Sequence, residues 1–239
     1  MKKKHTLKSI FSIALMLVSV TTLFAQEKTK DTIKKPKTER YGIRVGVDLH
    51  RLAKSIYDSD DYKGFEVMAD YRLTKKIYIA GELGNEKKTV DEDQLNFTAD
   101  GSYLKVGFDY NTYGNWLDME NMIFVGMRYG GSSFSQQLNS YNIYNTNPYF
   151  GETTKYPGQK FEGLSAGWLE VLAGIKAEVV NNLYLGFSVR LNYMLHQKRP
   201  ENFDNLFIPG FNRTYEGGNW GVGFNYGISY FIPFYKRSK

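Results

Sequence analysis

The chain has 239 residues, a formal net charge of +6, no cysteine and 16% aromatic residues. The lack of cysteine excludes disulfides, thiol catalysis, zinc–thiolate sites and the acylated cysteine of a lipoprotein. Residues 1–26 carry four lysines and residues 27–40 a net +3, so the rest of the chain carries 6 − 4 − 3 = −1. The high sequence pI therefore comes from the N-terminus, and no nucleic-acid partner is expected.

The N-terminus predicts an export signal. Lys2, Lys3 and Lys4 form a basic segment, an apolar run follows at residues 10–20, and Ala25 precedes a cleavage position before Gln26. The apolar run is shorter than the ~20 residues of a helical membrane span. We assign residues 1–26 to a signal peptide, the Lys-rich residues 27–40 to a disordered periplasmic leader, and residues 41–239 to a single domain.

From Tyr41 onward, apolar and polar residues alternate with a period of two, which predicts strands with two different faces. A helix would place Lys176 within the apolar stripe of its segment, so a strand is favoured there. Eight strands are predicted: Tyr41–His50, Phe65–Leu73, Ile77–Leu83, Leu104–Tyr110, Ile123–Gly130, Trp168–Val179, Leu183–Asn192 and Gly221–Tyr230.

Connections between these strands alternate in length. Of the seven connections in chain order, the even-numbered ones are Thr74–Lys76 and Val180–Asn182, which are tight turns, and Asn111–Asn121, which is longer. The odd-numbered ones are all long: Leu52–Tyr62, Gly84–Asp100, Ser135–Leu164 and Gln197–Asn219. Short periplasmic turns and long external loops are typical of a transmembrane barrel. We predict an all-β fold, an eight-stranded antiparallel transmembrane β-barrel. The alternative is a soluble sandwich or lipocalin-like barrel, whose polar faces would be richer in Lys, Thr and Ser.

The polar face of the predicted strands carries six cations and seven anions. They are Arg44, Asp48, Glu66, Asp70, Arg72, Glu82, Lys105, Asp109, Arg128, Glu170, Lys176, Glu178 and Arg190. In an eight-stranded barrel this face points into a lumen with room only for side chains or one small ligand. Near-balanced charge indicates a lumen filled by ion pairs, because a selective pore would show an excess of one sign. A small channel is the alternative.

One motif suggests enzymatic chemistry. Residues 163–167 match the G-x-S-x-G nucleophile pattern, and pairing across the Val180–Leu183 turn brings Ser165 near His196. That motif requires a strand–turn–helix, whereas a strand follows here. Side-chain alternation also predicts Ser165 to point outward and His196 inward, and His50 to face the lumen. We therefore predict no catalytic residue, no cofactor and no metal, and retain Ser165 and His196 as the weak alternative.

Four segments resemble an outer-membrane barrel family of unknown function from Bacteroidota. They are "YRLTKKIYIAGELGNE", "LKVGFDYNT", "YNTNPYFGE" and "FIPGFNRTYEG", and the signal ending "LFAQ" fits the same group. The resemblance covers nearly the whole mature chain and implies an outer-membrane barrel of the small OmpX-like or OmpA-like architecture. It implies no activity and no catalytic residues.

These observations predict a non-enzymatic protein of the Gram-negative outer membrane. Its role is expected to be structural, or to involve surface interactions through the loops Ser135–Leu164 and Gln197–Asn219. The expected partners are outer-membrane lipid or lipopolysaccharide, and an extracellular ligand or envelope protein bound by those loops. The alternative from a different class is a lipid-modifying hydrolase or acyltransferase that uses Ser165 and His196.

Overall fold

The computed structural model describes residues 38–114, 120–143, 153–201, 204–211, 213–214 and 218–238. The predicted signal peptide and all of the predicted leader before residue 38 lie outside these ranges. Within them are ten strands and one helix: β1 Thr38–Asp48, α1 Leu49–Tyr57, β2 Tyr62–Arg72, β3 Ile77–Glu92, β4 Leu95–Asn111, β5 Met122–Ile143, β6 Thr153–Lys155, β7 Gln159–Val180, β8 Leu183–Gln197, β9 Arg213–Thr214 and β10 Trp220–Ser238.

Eight long strands form a closed ring in the order β1-β2-β3-β4-β5-β7-β8-β10, and every neighbouring pair is antiparallel. The ring closes where β1 pairs with β10, from Thr38↔Ser238 to Asp48↔Gly227. The short strands β6 and β9 add to β5 and β10. The predicted eight-stranded antiparallel barrel is confirmed. β1 begins at Thr38, so residues 38–40 belong to the barrel and not to the leader.

The two ends of the barrel differ. At the end that we call the turn end, residues 73–76 join β2 to β3, and Asn181 and Asn182 join β7 to β8. Asn182 has a φ of 66°, the left-handed conformation that asparagine tolerates in a two-residue hairpin turn. The opposite end, the hairpin end, carries α1 and the long hairpins. Both predicted tight turns are confirmed.

At the hairpin end, much of what was predicted as loop is strand. β3 continues to Glu92 and β4 starts at Leu95, so most of the predicted connection Gly84–Asp100 is a paired hairpin. β5 and β7 have 22 residues each, about twice the ~9–11 that a strand needs to cross a bilayer. The prediction failed here because the outward side chains of these extensions are polar, so the apolar alternation ends before the strand does.

The outer surface of the ring is apolar at alternate positions. Side chains from all eight strands are between 39% and 58% exposed on this face: Val45, Val67, Ile79, Leu83, Leu104, Val106, Phe108, Ile123, Val125, Met127, Val171, Ile175, Leu185, Phe187, Val189, Leu191, Val222, Phe224 and Ile232. We call this surface the apolar belt. An exposed apolar surface that encircles the protein is far larger than the patches of a soluble monomer.

Helix α1 replaces the first predicted long connection. Asp48 caps it by accepting hydrogen bonds from the backbone N–H of His50, at 2.7 Å, and of Arg51, at 3.4 Å. The helix also changes the direction of His50, whose ring packs on Phe224 and Tyr226 of the outer surface. The prediction that His50 faces the lumen was wrong, because the two-residue alternation ends at Asp48. No helix in the described ranges is long and apolar enough to cross a membrane.

Candidate functional site

The middle of the barrel interior is a cluster of buried charges from β3, β4, β7 and β8. The Arg190 guanidinium bonds to Glu82, with Nη2 3.0 Å from Oε1, and its Nη1 lies 3.3 Å from Glu170 Oε2. Lys105 Nζ is 2.9 Å from Glu170 Oε1, and both side chains are fully buried. Buried ions that are removed from water require partners of this kind, since each loses several kcal/mol of hydration.

A second group of charges lies next to it, toward the turn end. The Arg44 guanidinium donates to Asp70 Oδ1 at 3.0 and 3.1 Å. Lys176 Nζ is 2.7 Å from Asp70 Oδ2 and 3.5 Å from Asp109 Oδ2, so it joins the two carboxylates. Arg128 Nη2 completes the group at 2.6 Å from Asp109 Oδ1.

At the turn end, the interior contains ion pairs that sequence reasoning found only in part. Glu178 pairs with Arg40, Oε1 to Nη2 at 3.0 Å, and Arg40 Nε is 3.2 Å from Glu120 Oε2. Arg72 Nη2 is 3.4 Å from Glu39 Oε2. Glu178 and Arg72 were predicted. Arg40 and Glu39 were missed because both were assigned to the leader, and Glu120 because it lies in a connection.

At the hairpin end, Arg51 of helix α1 points into the lumen. It forms an ion pair with Asp48, its Nε is 3.0 Å from Glu86 Oε1, and its Nη1 is 3.4 Å from Glu66 Oε2. The Tyr103 hydroxyl donates to Glu66 at 2.6 Å. Sequence reasoning missed Arg51, although apolar residues at positions 49, 52, 53 and 56 directly after Asp48 are typical of a capped amphipathic helix.

The last long connection folds back into this mouth. Ile208 and Phe211 are 2% and 0% exposed, and the Phe211 ring meets Trp168 edge-to-face, with centroids 5.6 Å apart. The backbone N–H of Gly210 donates to Glu86 Oε2 at 2.6 Å, and Asn192 Nδ2 donates to the Phe211 carbonyl at 2.6 Å. We call residues 208–211 the plug. While seated, they are not available for the surface recognition predicted for this loop.

A cavity of about 40 Å³ lies among the central charges and is lined in part by Asp70, Glu82, Asp109, Arg128 and Lys176. This volume holds a few water molecules and no larger ligand. The thirteen predicted lumen residues all lie on this inner face, and each has an ion-pair partner of opposite sign.

Ser165 and His196 lie outside this interior. Ser165 is exposed and lies within β7, where the G-x-S-x-G residues form no strand–turn–helix. His196 also faces outward, because β8 has a bulge at Leu195: Trp168 pairs with Met194, but Gly167 pairs with His196. The prediction that His196 points inward was wrong, since one extra residue reverses the side-chain alternation. The two residues share a face, and no hydrogen bond joins them in the described structure.

An antiparallel ring of eight strands, an outward apolar belt and an interior of paired charges together define a transmembrane β-barrel. Within that class, the chain belongs to the family described as Domain of unknown function (DUF6048), whose model matches residues 6–237. No curated protein matches the sequence significantly.

Solved structures that are similar to the chain at low identity include NspA and Ail. Neisserial surface protein A (NspA) is 12% identical, with 82% of this chain and 99% of that chain covered and a TM-score of 0.41. The attachment invasion locus protein Ail of Yersinia pestis is 10% identical, with 83% of this chain and 100% of that chain covered and a TM-score of 0.38. At these values, neither structure supports an inference about the function of this chain.

Proposed function

We propose that this protein is a non-conducting barrel of the Gram-negative outer membrane, exported by its N-terminal signal peptide, with a structural or surface-interaction role. The observation that carries the proposal is the interior, where ion pairs and a seated plug occupy the described lumen and a cavity among the central charges measures about 40 Å³. A lumen filled in this way offers no continuous water path for an ion. Interaction with a partner is then left to the outer surface and the hairpin end.

The apolar belt supports the membrane location. Its side chains point away from the barrel, and charged side chains occupy the interior, which is the reverse of a soluble barrel. A closed ring also satisfies the backbone hydrogen bonds of its strands, as lipid requires. The outer membrane is the destination that fits such a barrel with an export signal, and the resemblance in the sequence favours a Bacteroidota source.

The hairpin end offers a surface for a ligand or an envelope protein. The tip of the β3–β4 hairpin and the neighbouring strands form an open polar groove whose lining includes Asp91, Glu92, Tyr141, Thr154 and Tyr156. Tyr156 is largely exposed. Tyrosines at the edge of a polar groove supply apolar contact area together with a hydrogen-bonding group, a combination common in recognition surfaces. We place surface recognition here and not at the plug.

A lipid-modifying enzyme is the second candidate function. The observation that favours it is that Ser165 and His196 lie on the same outward face of neighbouring strands. A working nucleophile and base would lie within ~2.6–3.2 Å of each other, directly or through one water. Lipid profiles of cells that carry Ser165→Ala, compared with Ser133→Ala on the adjacent strand, test this candidate. A product lost only with Ser165→Ala would establish it.

The first prediction tests the main proposal. Isolated outer membranes should contain the protein, and unheated and boiled samples should migrate differently on a denaturing gel, because a closed barrel resists detergent unfolding. Purified protein in planar bilayers should show no stable conductance steps. Recovery in the soluble periplasm without a heat-dependent shift would contradict the membrane location, and steady steps would contradict the closed lumen and favour the small channel.

A further inference from the structure

Helix α1 occupies a position in the barrel wall where β1 has ended. β1 pairs with β2 only from Ile43↔Tyr71 to Val47↔Val67, and its pairing with β10 ends at Asp48↔Gly227. Residues 62–66 of β2 therefore have no β1 partner at the hairpin end, and neither do residues 223–226 of β10. The helix packs against both strands and fills the gap between them.

Specific contacts join the helix to the strand on each side. Toward β2, the Ser55 hydroxyl accepts a hydrogen bond from the Gly64 N–H at 2.7 Å and lies 2.8 Å from the Gly64 carbonyl oxygen. It thereby satisfies polar groups that β1 would otherwise have paired. Toward β10, the His50 ring lies with its centroid 4.7 Å from that of Phe224 and 5.6 Å from that of Tyr226.

The helix has one face toward the lumen and one away from it. Arg51 points inward to Glu66 and Glu86. At about 100° per residue, Ala53 and Ile56 lie roughly 160° and 140° around the helix from Arg51, so they point outward. Ile56 is 82% exposed, and Tyr57, next to it, is 88% exposed. An amphipathic helix with a charged inner face and an uncovered apolar outer face is thus part of the wall.

We propose that the outward face of helix α1, formed by Ala53, Ile56 and Tyr57, is embedded in the outer-leaflet lipid. The proposal rests on the membrane location given above. It follows from continuity, because His50 packs on Phe224 of the apolar belt, so the helix face extends that belt. A helix can stand in a membrane wall without a strand partner because its backbone hydrogen bonds are internal. Tyrosine at its end suits the lipid–water interface.

The natural lack of cysteine allows a direct test. Ile56→Cys is labelled with an environment-sensitive fluorophore and reconstituted into phosphatidylcholine vesicles with brominated acyl chains. Phe108→Cys in the apolar belt is the positive control, and Asp93→Cys at the tip of the β3–β4 hairpin is the negative control. We expect the label at Ile56 to be quenched at least about half as strongly as the label at Phe108, with blue-shifted emission, because both would lie against lipid.

The controls separate the two proposals. If the Phe108 label is quenched and the Ile56 label behaves like the Asp93 label, the barrel spans the membrane but the helix does not contact lipid, and this inference is wrong. Protection of the Ile56 label only at high protein density would instead assign the face to a second copy of the chain. If the Phe108 label is not quenched either, the membrane location itself fails.

Discussion

At the scale of single residues, the interior depends on charges that cannot be removed one at a time. Arg190 contacts both Glu82 and Glu170, and all three side chains are buried. Replacing an ion pair with apolar groups on both sides is tolerated far better than removing one partner, because the remaining charge is left in a poorly hydrated site. The near-equal numbers of inward cations and anions follow from this requirement.

Arg190→Met is expected to lower the free energy of unfolding by about 3–5 kcal/mol, because Glu82 and Glu170 lose one of the two buried cations that they share and keep only Lys105 in common. Urea titration in detergent micelles, followed by the heat-dependent gel shift, measures the loss. Lys160→Met is the control, since its pair with Glu162 is exposed, and we expect no measurable change.

The double variant Arg190→Met with Glu82→Gln should be more stable than Arg190→Met alone, since it also removes one of the two carboxylates that lost Arg190 and restores the balance of charge in the cluster. If Arg190→Met unfolded at the same urea concentration as the natural chain, the interior would be hydrated well enough to solvate lone charges. That result would support the small channel.

At the scale of elements, the plug depends on one glycine. Gly210 has a φ of 80°, and a Cβ there would lie 2.4 Å from the Tyr103 ring. An alanine at this position meets both backbone strain, about 1–2 kcal/mol, and an aromatic ring that Glu66 holds in place by a hydrogen bond. The seated position of Ile208 and Phe211 therefore requires glycine between them.

We expect Gly210→Ala to release the plug and expose Phe211 to chymotrypsin while the barrel stays folded. Limited digestion of the reconstituted protein, with mass spectrometry of the fragments, should show new cleavage near residues 207–211. Gly131→Ala is the matched control, because a Cβ there meets no atom within 4 Å. Identical digestion of the two variants would show that the plug does not depend on this contact.

The elements also show how far the sequence could be interpreted. Alternation identified all eight barrel strands because the outward side chains of each strand form part of the apolar belt, while its inward side chains face the interior. It failed where the physical cause of the pattern changes. Between the belt and the hairpin end, both faces of β3 and β4 become partly polar. At Asp48 the strand ends and a helix begins, and at Leu195 a bulge reverses which side chains point outward.

The interior charges could be predicted for the same reason, since they occupy the alternate positions of the same strands, on the face opposite to the belt. Their partners could not all be predicted. Arg51 comes from the helix, Arg40 from a segment that looked like leader, and the plug from a connection whose folding depends on contacts with Glu86 and Asn192 far away in the sequence.

At the scale of the whole molecule, β3, β4, β5 and β7 project beyond the apolar belt and form a paired sheet at the hairpin end. The pairs Thr89↔Thr98 and Lys87↔Asp100 belong to this projection. Since the apolar belt ends at Leu83 on β3 and at Leu104 on β4, the projecting part of this hairpin is not needed to span lipid. The proposed recognition surface and the part that crosses the membrane therefore lie on different parts of the same strands.

Replacing residues 90–97 with Asn-Gly, a two-residue hairpin turn, should leave the heat-dependent gel shift unchanged and abolish binding at the polar groove. Surface binding of labelled cell-envelope extract to whole cells, compared with the natural chain, provides the second measurement. Loss of the heat-stable form would show that the projection is required for the barrel to fold.

The seam between β1 and β10 has a kinetic consequence. Thr38 and Ser238 are neighbours in the ring although 238 − 38 = 200 positions separate them in the chain. Such a distant pairing carries a larger loop-closure entropy than the hairpin pairings and forms slowly, and the ring cannot close before β10 has been synthesised. Until then, β1 and β10 both present unpaired backbone groups, which readily pair with other chains. We therefore expect the unclosed chain to pair with its own copies unless it is shielded, and closure of the ring removes both free edges.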